Sequence, residues 1–201
     1  GGDSSIQSAY DYFEKCLDNF SGEGELKPLK HLLEKMKNSV SKFNRNDNLQ
    51  IGLATIDWAI RNQYTQLGFT ALEESITTYV CDKYKVPNND RINRINVDKA
   101  ITTISKYQTE NSNKDIVTWS KEKNSKHRPD DLQFVEKFDY ILKTLPSEIA
   151  KISGLVRDNR NSLNHFGFND SKIKANTIIN NLNKYYNEFL DMIEKYKDTE
   201  F

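Results

Sequence analysis

The chain has 201 residues, 36% of them hydrophobic and 29% charged, with ten Tyr and ten Phe. That is enough apolar and aromatic surface to build a core, which excludes a disordered chain. Its 29 basic and 29 acidic residues cancel, so bulk charge cannot draw it to nucleic acid or membrane, and any RNA contact must come from a local basic patch.

Cys16 and Cys81 form no CxxC pair and read as free thiols in a reducing compartment. No apolar run approaches the roughly 18 to 20 residues that span a bilayer, and no signal-peptide pattern opens the chain. A cytoplasmic protein with no membrane partner is expected. The opening Gly1-Gly2-Asp3, without Met, reads as a cloning remnant or as the start of an excised domain with parent sequence upstream.

Helical periodicity dominates from the start. Ile6, Tyr10, Phe13, Leu17 and Phe20 recur at spacings of three and four, until Gly22 and Gly24 interrupt them. A second helix is predicted from Pro28, a residue suited to a first turn, and carries Leu29, Leu32, Leu33, Met36, Val40 and Phe43. One long helix is predicted over 49–84, with Gly68 as a kink or a close helix contact. It ends at Val86-Pro87-Asn88. A shorter helix is predicted over 97–107.

Residues 109–130 are rich in Asn, Lys and Ser and read as a mobile polar insertion, interrupted by a short helix around Ile116 to Trp119. Helix resumes over 132–145 and 147–166, with Pro146 between them, and Gly167 suits a helix C-terminus. A last helix is predicted over 171–196. No run alternates as a strand would, so the fold class is all-α, a helical bundle. Residues 1–25 read as an N-terminal helical extension or linker, and 26–201 as the bundle.

Chemistry concentrates near the end of the 147–166 helix. Ile149, Ile152, Val156, Leu163 and Phe166 form an apolar stripe, and Arg157, Arg160, Asn161, Asn164 and His165 lie off it, on another side of the helix. Arg is a permanently charged, bidentate phosphate partner. His can donate or accept a proton near neutral pH. An amide can orient either. Such a set suits metal-independent RNA cleavage, in which the ribose 2′-hydroxyl attacks the adjacent phosphate. The bland alternative is a solvated helix face with a histidine at a favourable helix end.

Arg160-Asn161-x-x-x-His165 resembles the signature of the HEPN superfamily. A second stretch, Ile56-Asp57-Trp58-Ala59-Ile60-Arg61-Asn62-Gln63-Tyr64-Thr65-Gln66 followed by Thr70-Ala71-Leu72-Glu73-Glu74, resembles the long helix of HEPN domains in CRISPR-associated proteins of the CARF–HEPN type. The resemblance spans about residues 50–85 and 150–170. It implies a HEPN-like bundle that homodimerises, joins two copies of the motif in one cleft and cuts single-stranded RNA without metal, in type III CRISPR antiviral defence. Arg160, Asn161 and His165 would be catalytic, and Arg157 and Asn164 would contact RNA. A cyclic oligoadenylate would act only through a sensor domain for which this chain has no pattern.

No cofactor is expected. Three His and two distant Cys offer no ligand spacing for zinc, and no Gly-rich phosphate loop is present. His127 in its basic loop reads as solvated surface, and His31 as an ordinary helix histidine. Glu73 and Glu74 point about 100° apart on a helix and cannot share one site, so one of them is expected to buttress Arg160 or Arg157. Tyr185, Tyr186 and Phe189 are expected in the core or a dimer interface rather than stacking bases. Two rivals keep the fold: a binding module that no longer cuts, and a HEPN toxin of a toxin–antitoxin pair.

Overall fold

Helix is the only regular secondary structure among the described residues of the computed structural model, which are 2–20, 47–110, 112–124, 137–164 and 174–201, with 32, 35, 38 and 41. They form α1 (Gly2–Phe20), α2 (Asn48–Arg61), α3 (Thr65–Lys83), α4 (Arg91–Glu110), α5 (Ile116–Asn124), α6 (Asp139–Thr144), α7 (Ser147–Asn164) and α8 (Ala175–Lys195). The chain is all-α. None of the described helices is long and apolar enough to cross a membrane. The helix expected from Pro28 lies outside the described residues, apart from isolated positions.

The single helix predicted over 49–84 is two helices. Asp47 caps the first, its carboxylate accepting from Leu49 N at 2.8 Å. The chain then reverses after Arg61, where Gln63 takes a left-handed conformation with φ 59°. Tyr64 N donates to Ala59 O at 2.8 Å and Gln63 N to Ile60 O at 3.2 Å. This is the closing pattern usually built on glycine, here with glutamine at the left-handed position. Gly68 is therefore not the break. It lies under Leu182 of α8 and beside Ala59, where an added Cβ would overlap the leucine methyl.

α3 is the axis of the bundle. Phe69, Leu72, Ile76 and Val80 are fully buried, and Glu73, Ser75, Thr77 and Thr78 are buried too. A helix covered almost all round must have neighbours on every side. They are α2, α4, α7 and α8. Apolar residues of α4 (Val97, Ile101, Ile104) and α7 (Ile149, Ile152, Val156) join it in one core. α8 adds Ile178, Leu182, Tyr185 and Phe189, spaced four, three and four apart. Tyr186 donates its hydroxyl to Leu53 O at 3.2 Å, so the last helix spends its aromatics on packing.

The polar segment after α4 is less loose than its composition suggests. α5 runs from Ile116 to Asn124, and its Trp119 is buried, edge-on to Tyr107 with ring centroids 5.6 Å apart. Trp119, with Ile116 and Val117, supplies the apolar area that the Asn, Lys and Ser around it lack. Asp115 starts the helix, accepting from Thr118 N at 3.0 Å. Residues 125–130 of that segment lie outside the described residues. Cys16 and Cys81 are both free thiols, the second fully buried.

Candidate functional site

α3 and α7 run antiparallel side by side, and this contact positions the polar stripe of α7. Seven residues separate Gln66 from Glu73, and seven separate Arg157 from Asn164. The amide pair therefore meets at one end of the contact and the ion pairs form about 10 Å along it. At that inner end Arg157 Nε donates to Glu73 Oε1 at 3.0 Å. Its Nη2 reaches Asp98 Oδ1 of α4 at 2.5 Å, and its Nη1 donates to the Thr102 hydroxyl. One guanidinium thus ties α7 to both α3 and α4.

Arg160, one turn further, places Nη1 in ion contact with the other oxygen of the same carboxylate, Glu73 Oε2. The Glu73 side chain is 8% exposed, and those of Arg157 and Arg160 are 19% and 29% exposed. A buried carboxylate needs positive partners to stay charged. Glu73 has two. Of the two glutamates, Glu73 is the one that buttresses both arginines, while Glu74 turns to Arg94 of α4 at 2.6 Å. The expected 100° divergence sends them to different partners.

These residues rim a cleft of about 610 Å³ between α3, α4 and α7, which Arg91, Arg94, Arg157 and Arg160 enter together with Asn88 and Asn89. Arg94 also donates to the Thr78 hydroxyl at 2.9 Å. Arg91 is exposed and has no ion pair among the described residues. Four arginines against Glu73, Glu74 and Asp98 leave the cleft cationic, in a chain whose overall charge is zero. The excess is one positive charge, carried by Arg91, because Glu73, Glu74 and Asp98 pair with the other three arginines.

The chain matches no family model, no curated protein and no solved structure.

Arg157 and Arg160 are the two residues of the predicted set that meet at one carboxylate. Asn161 lies beside Arg160, its Oδ1 3.5 Å from Arg160 Nη2, a separation long for a hydrogen bond. Asn164 sits at the outer end, where its Oδ1 accepts from Gln66 Nε2 at 2.8 Å. His165 lies outside the described residues, as do His31 and His127. No group of residues suited to a metal ion occurs among the described ones.

Three sets of residues escaped the sequence reading. Arg91 and Arg94 line the cleft, and Asp98 and Thr102 hold Arg157. All lie on α4 at spacings of three, four and four, a polar stripe about 100° around the helix from Val97, Ile101 and Ile104. That pattern was available in the sequence, without anything to say which helix it faces. Asn159 is the third. It is 4% exposed, and its Oδ1 accepts from Asn181 Nδ2 at 3.0 Å, locking α7 to α8.

Proposed function

We propose that this chain is a HEPN-type, metal-independent endoribonuclease domain that cuts single-stranded RNA as a homodimer, within type III CRISPR defence. The observation that carries the proposal is the shared clamp of Glu73 on Arg157 and Arg160. It holds one guanidinium, with Asn161 beside it, at the rim of an arginine-lined cleft. A guanidinium fixed before substrate arrives loses little freedom when a phosphate binds.

In this reading the 2′-oxygen of a ribose attacks the adjacent phosphorus and the P–O5′ bond breaks. The products are a 2′,3′-cyclic phosphate and a 5′-hydroxyl. The 2′-hydroxyl gives up its proton, and the leaving 5′-oxygen takes one. Arg160 compensates the charge that builds on the phosphorane oxygens. Asn161 holds the set in place, and His165, by its resemblance to the HEPN motif, manages one of the two protons. Arg157 has a different part from the RNA contact that the resemblance implies. Glu73, Asp98 and Thr102 occupy its nitrogens, so it is a positioning residue for Arg160 through Glu73. Asn164 remains at the outer rim.

The test is cleavage of a labelled single-stranded RNA by the purified chain in EDTA. Wild type should release cyclic-phosphate ends, and Arg160→Ala and His165→Ala should each fall to background. Wild-type rates in the purified double variant would overturn the proposal. A binding module that no longer cuts is the second reading, favoured by one observation: Glu73 and Asp98 match the charges of Arg157 and Arg160 one for one. RNA binding without cleavage would select it.

A further inference from the structure

The corner between α2 and α3 forms a second concavity of about 660 Å³, next to the outer end of α7. Trp58 and Tyr64 stack there with ring centroids 5.2 Å apart and planes inclined by 22°. Tyr64 is 55% exposed, so the pair has an outer aromatic surface, and Leu67 beside it is 43% exposed. Gln63, Gln66 and Thr70 supply the polar rim. Gln66 is also the residue bonded to Asn164, so this pocket and the polar stripe of α7 share an edge.

The two concavities lie along one line. Gln66, Thr70, Glu73 and Thr77 fall within about 60° of each other around α3. The first two line the aromatic pocket and the last two the arginine cleft. The seven residues from Gln66 to Glu73 span about 10 Å, within reach of adjoining nucleotides of a single strand.

We infer that the Trp58–Tyr64 corner is a nucleobase subsite, which stacks a base of single-stranded RNA on Tyr64 and presents amides to its edge. The inference rests on the proposed nuclease reading and adds a residue set for binding and base choice. Single-stranded RNA is recognised by stacking on aromatic rings and by hydrogen bonds to splayed base edges. An amide offers both a donor and an acceptor to such an edge. Gln66 Oε1 and Asn164 Nδ2 have no hydrogen bond among the described residues, so each can serve a base without breaking the Gln66–Asn164 bond. A second copy of the chain fits less well. Two exposed apolar side chains in a concave, amide-rimmed corner fall far short of the roughly 800 Å² per partner that a stable dimer buries.

The experiment measures binding of the whole chain to 2′-O-methyl oligoribonucleotides, which cannot be cut, and to an abasic strand of the same length. Wild type should bind the base-bearing strand at least about fivefold more tightly than the abasic one, as one stacked base warrants. Tyr64→Ala should bring both strands to the abasic level, Tyr64→Trp should restore the gap, and a 2-aminopurine strand should be quenched on binding wild type. Equal binding of the two strands by wild type, absent quenching, or an undiminished gap in Tyr64→Ala would each overturn the subsite. So would a change in oligomeric state of Tyr64→Ala by light scattering, which assigns the corner to a contact between copies. In all these cases, binding of the abasic strand that still falls in Arg160→Ala leaves the nuclease reading standing. If wild type binds neither strand, both readings fall together.

Discussion

Arg157 Nε donates to Glu73 Oε1 at 3.0 Å across the contact between α3 and α7, while Arg160 meets the second oxygen of that carboxylate. One acid thus serves two bases of unequal duty. Arg157 is enclosed, with a second carboxylate and a hydroxyl taking its other nitrogens. Arg160 has no further charged partner among the described residues and is the more exposed.

That asymmetry predicts unequal consequences for two like substitutions. Arg157→Ala removes three hydrogen bonds and leaves Asp98 with no other ion pair among the described residues, so it should cost about 3 kcal/mol, mostly through the lost charge-assisted hydrogen bonds. Arg160→Ala leaves Glu73 paired with Arg157 and should cost about 1 kcal/mol. Urea unfolding of the two variants measures the gap. Equal losses would show that the clamp is shared evenly.

Glu73→Gln keeps the shape of the acid and removes its charge. Two guanidiniums then face each other with one neutral acceptor, so the folded state should lose about 2 kcal/mol. If Arg160 contacts the scissile phosphate and Glu73 only positions it, this variant should lower kcat more than it raises KM. Arg160→Ala should abolish cleavage outright. A Glu73→Gln protein with wild-type kcat would remove the positioning role while leaving the stability effect intact.

Two helix ends store backbone strain at residues that are not glycine. Gln63 (φ 59°) closes α2 and Lys85 (φ 54°) closes α3, where Val86 N donates to Cys81 O at 2.8 Å. A left-handed residue with a Cβ costs roughly 1–2 kcal/mol, and glycine gives back part of that gain through its freer unfolded chain. Lys85→Gly should therefore stabilise the fold by about 0.5–1 kcal/mol in thermal or urea unfolding, since the only ion pair of Lys85 among the described residues is a 4.0 Å contact of exposed groups with Glu200. A loss of stability would mean that the lysine side chain contributes more than its exposure suggests.

Gln63 also marks where the sequence stopped being legible. Apolar residues keep helical spacing from Leu53 through Val80, so periodicity alone runs straight through a reversal that no Gly or Pro announces. The all-helical class and the rough bounds of α7 and α8 were readable, because each buries one stripe against the core. α5 was half readable: Ile116, Val117 and Trp119 marked its start, while the polar residues after them hid how far it runs. At the site, the arginine–amide stripe was visible on α7, and a glutamate partner could be expected from α3. Which glutamate it is, and that α4 brings Asp98, Thr102 and two more arginines, depends on the rotation of three packed helices. Spacing within one helix carries no such information.

Outside the cleft, Glu148 at the start of α7 gives the fold a defined response to acid. Its Oε1 accepts from Lys195 Nζ and from the Tyr196 hydroxyl, each at 2.5 Å, pinning the end of α8 to α7. The Lys195 hydrogen bond first, and the Tyr196 hydroxyl second, hold this carboxyl down at about 2 from its ordinary 4.5. The folded chain therefore keeps Glu148 ionised at a pH where the unfolded chain already binds the proton. The stabilisation is complete above about pH 4.5 and disappears as the pH falls from there towards 2. The side chain is 37% exposed, so solvent screening leaves about 1 kcal/mol of the linkage at neutral pH. Glu148→Gln should lower stability by that amount at pH 7, by less in high salt, and by nothing near pH 2. Urea titrations of both proteins across this range measure the difference. A gap that stays constant with pH would mean that the two contacts contribute by packing rather than by charge.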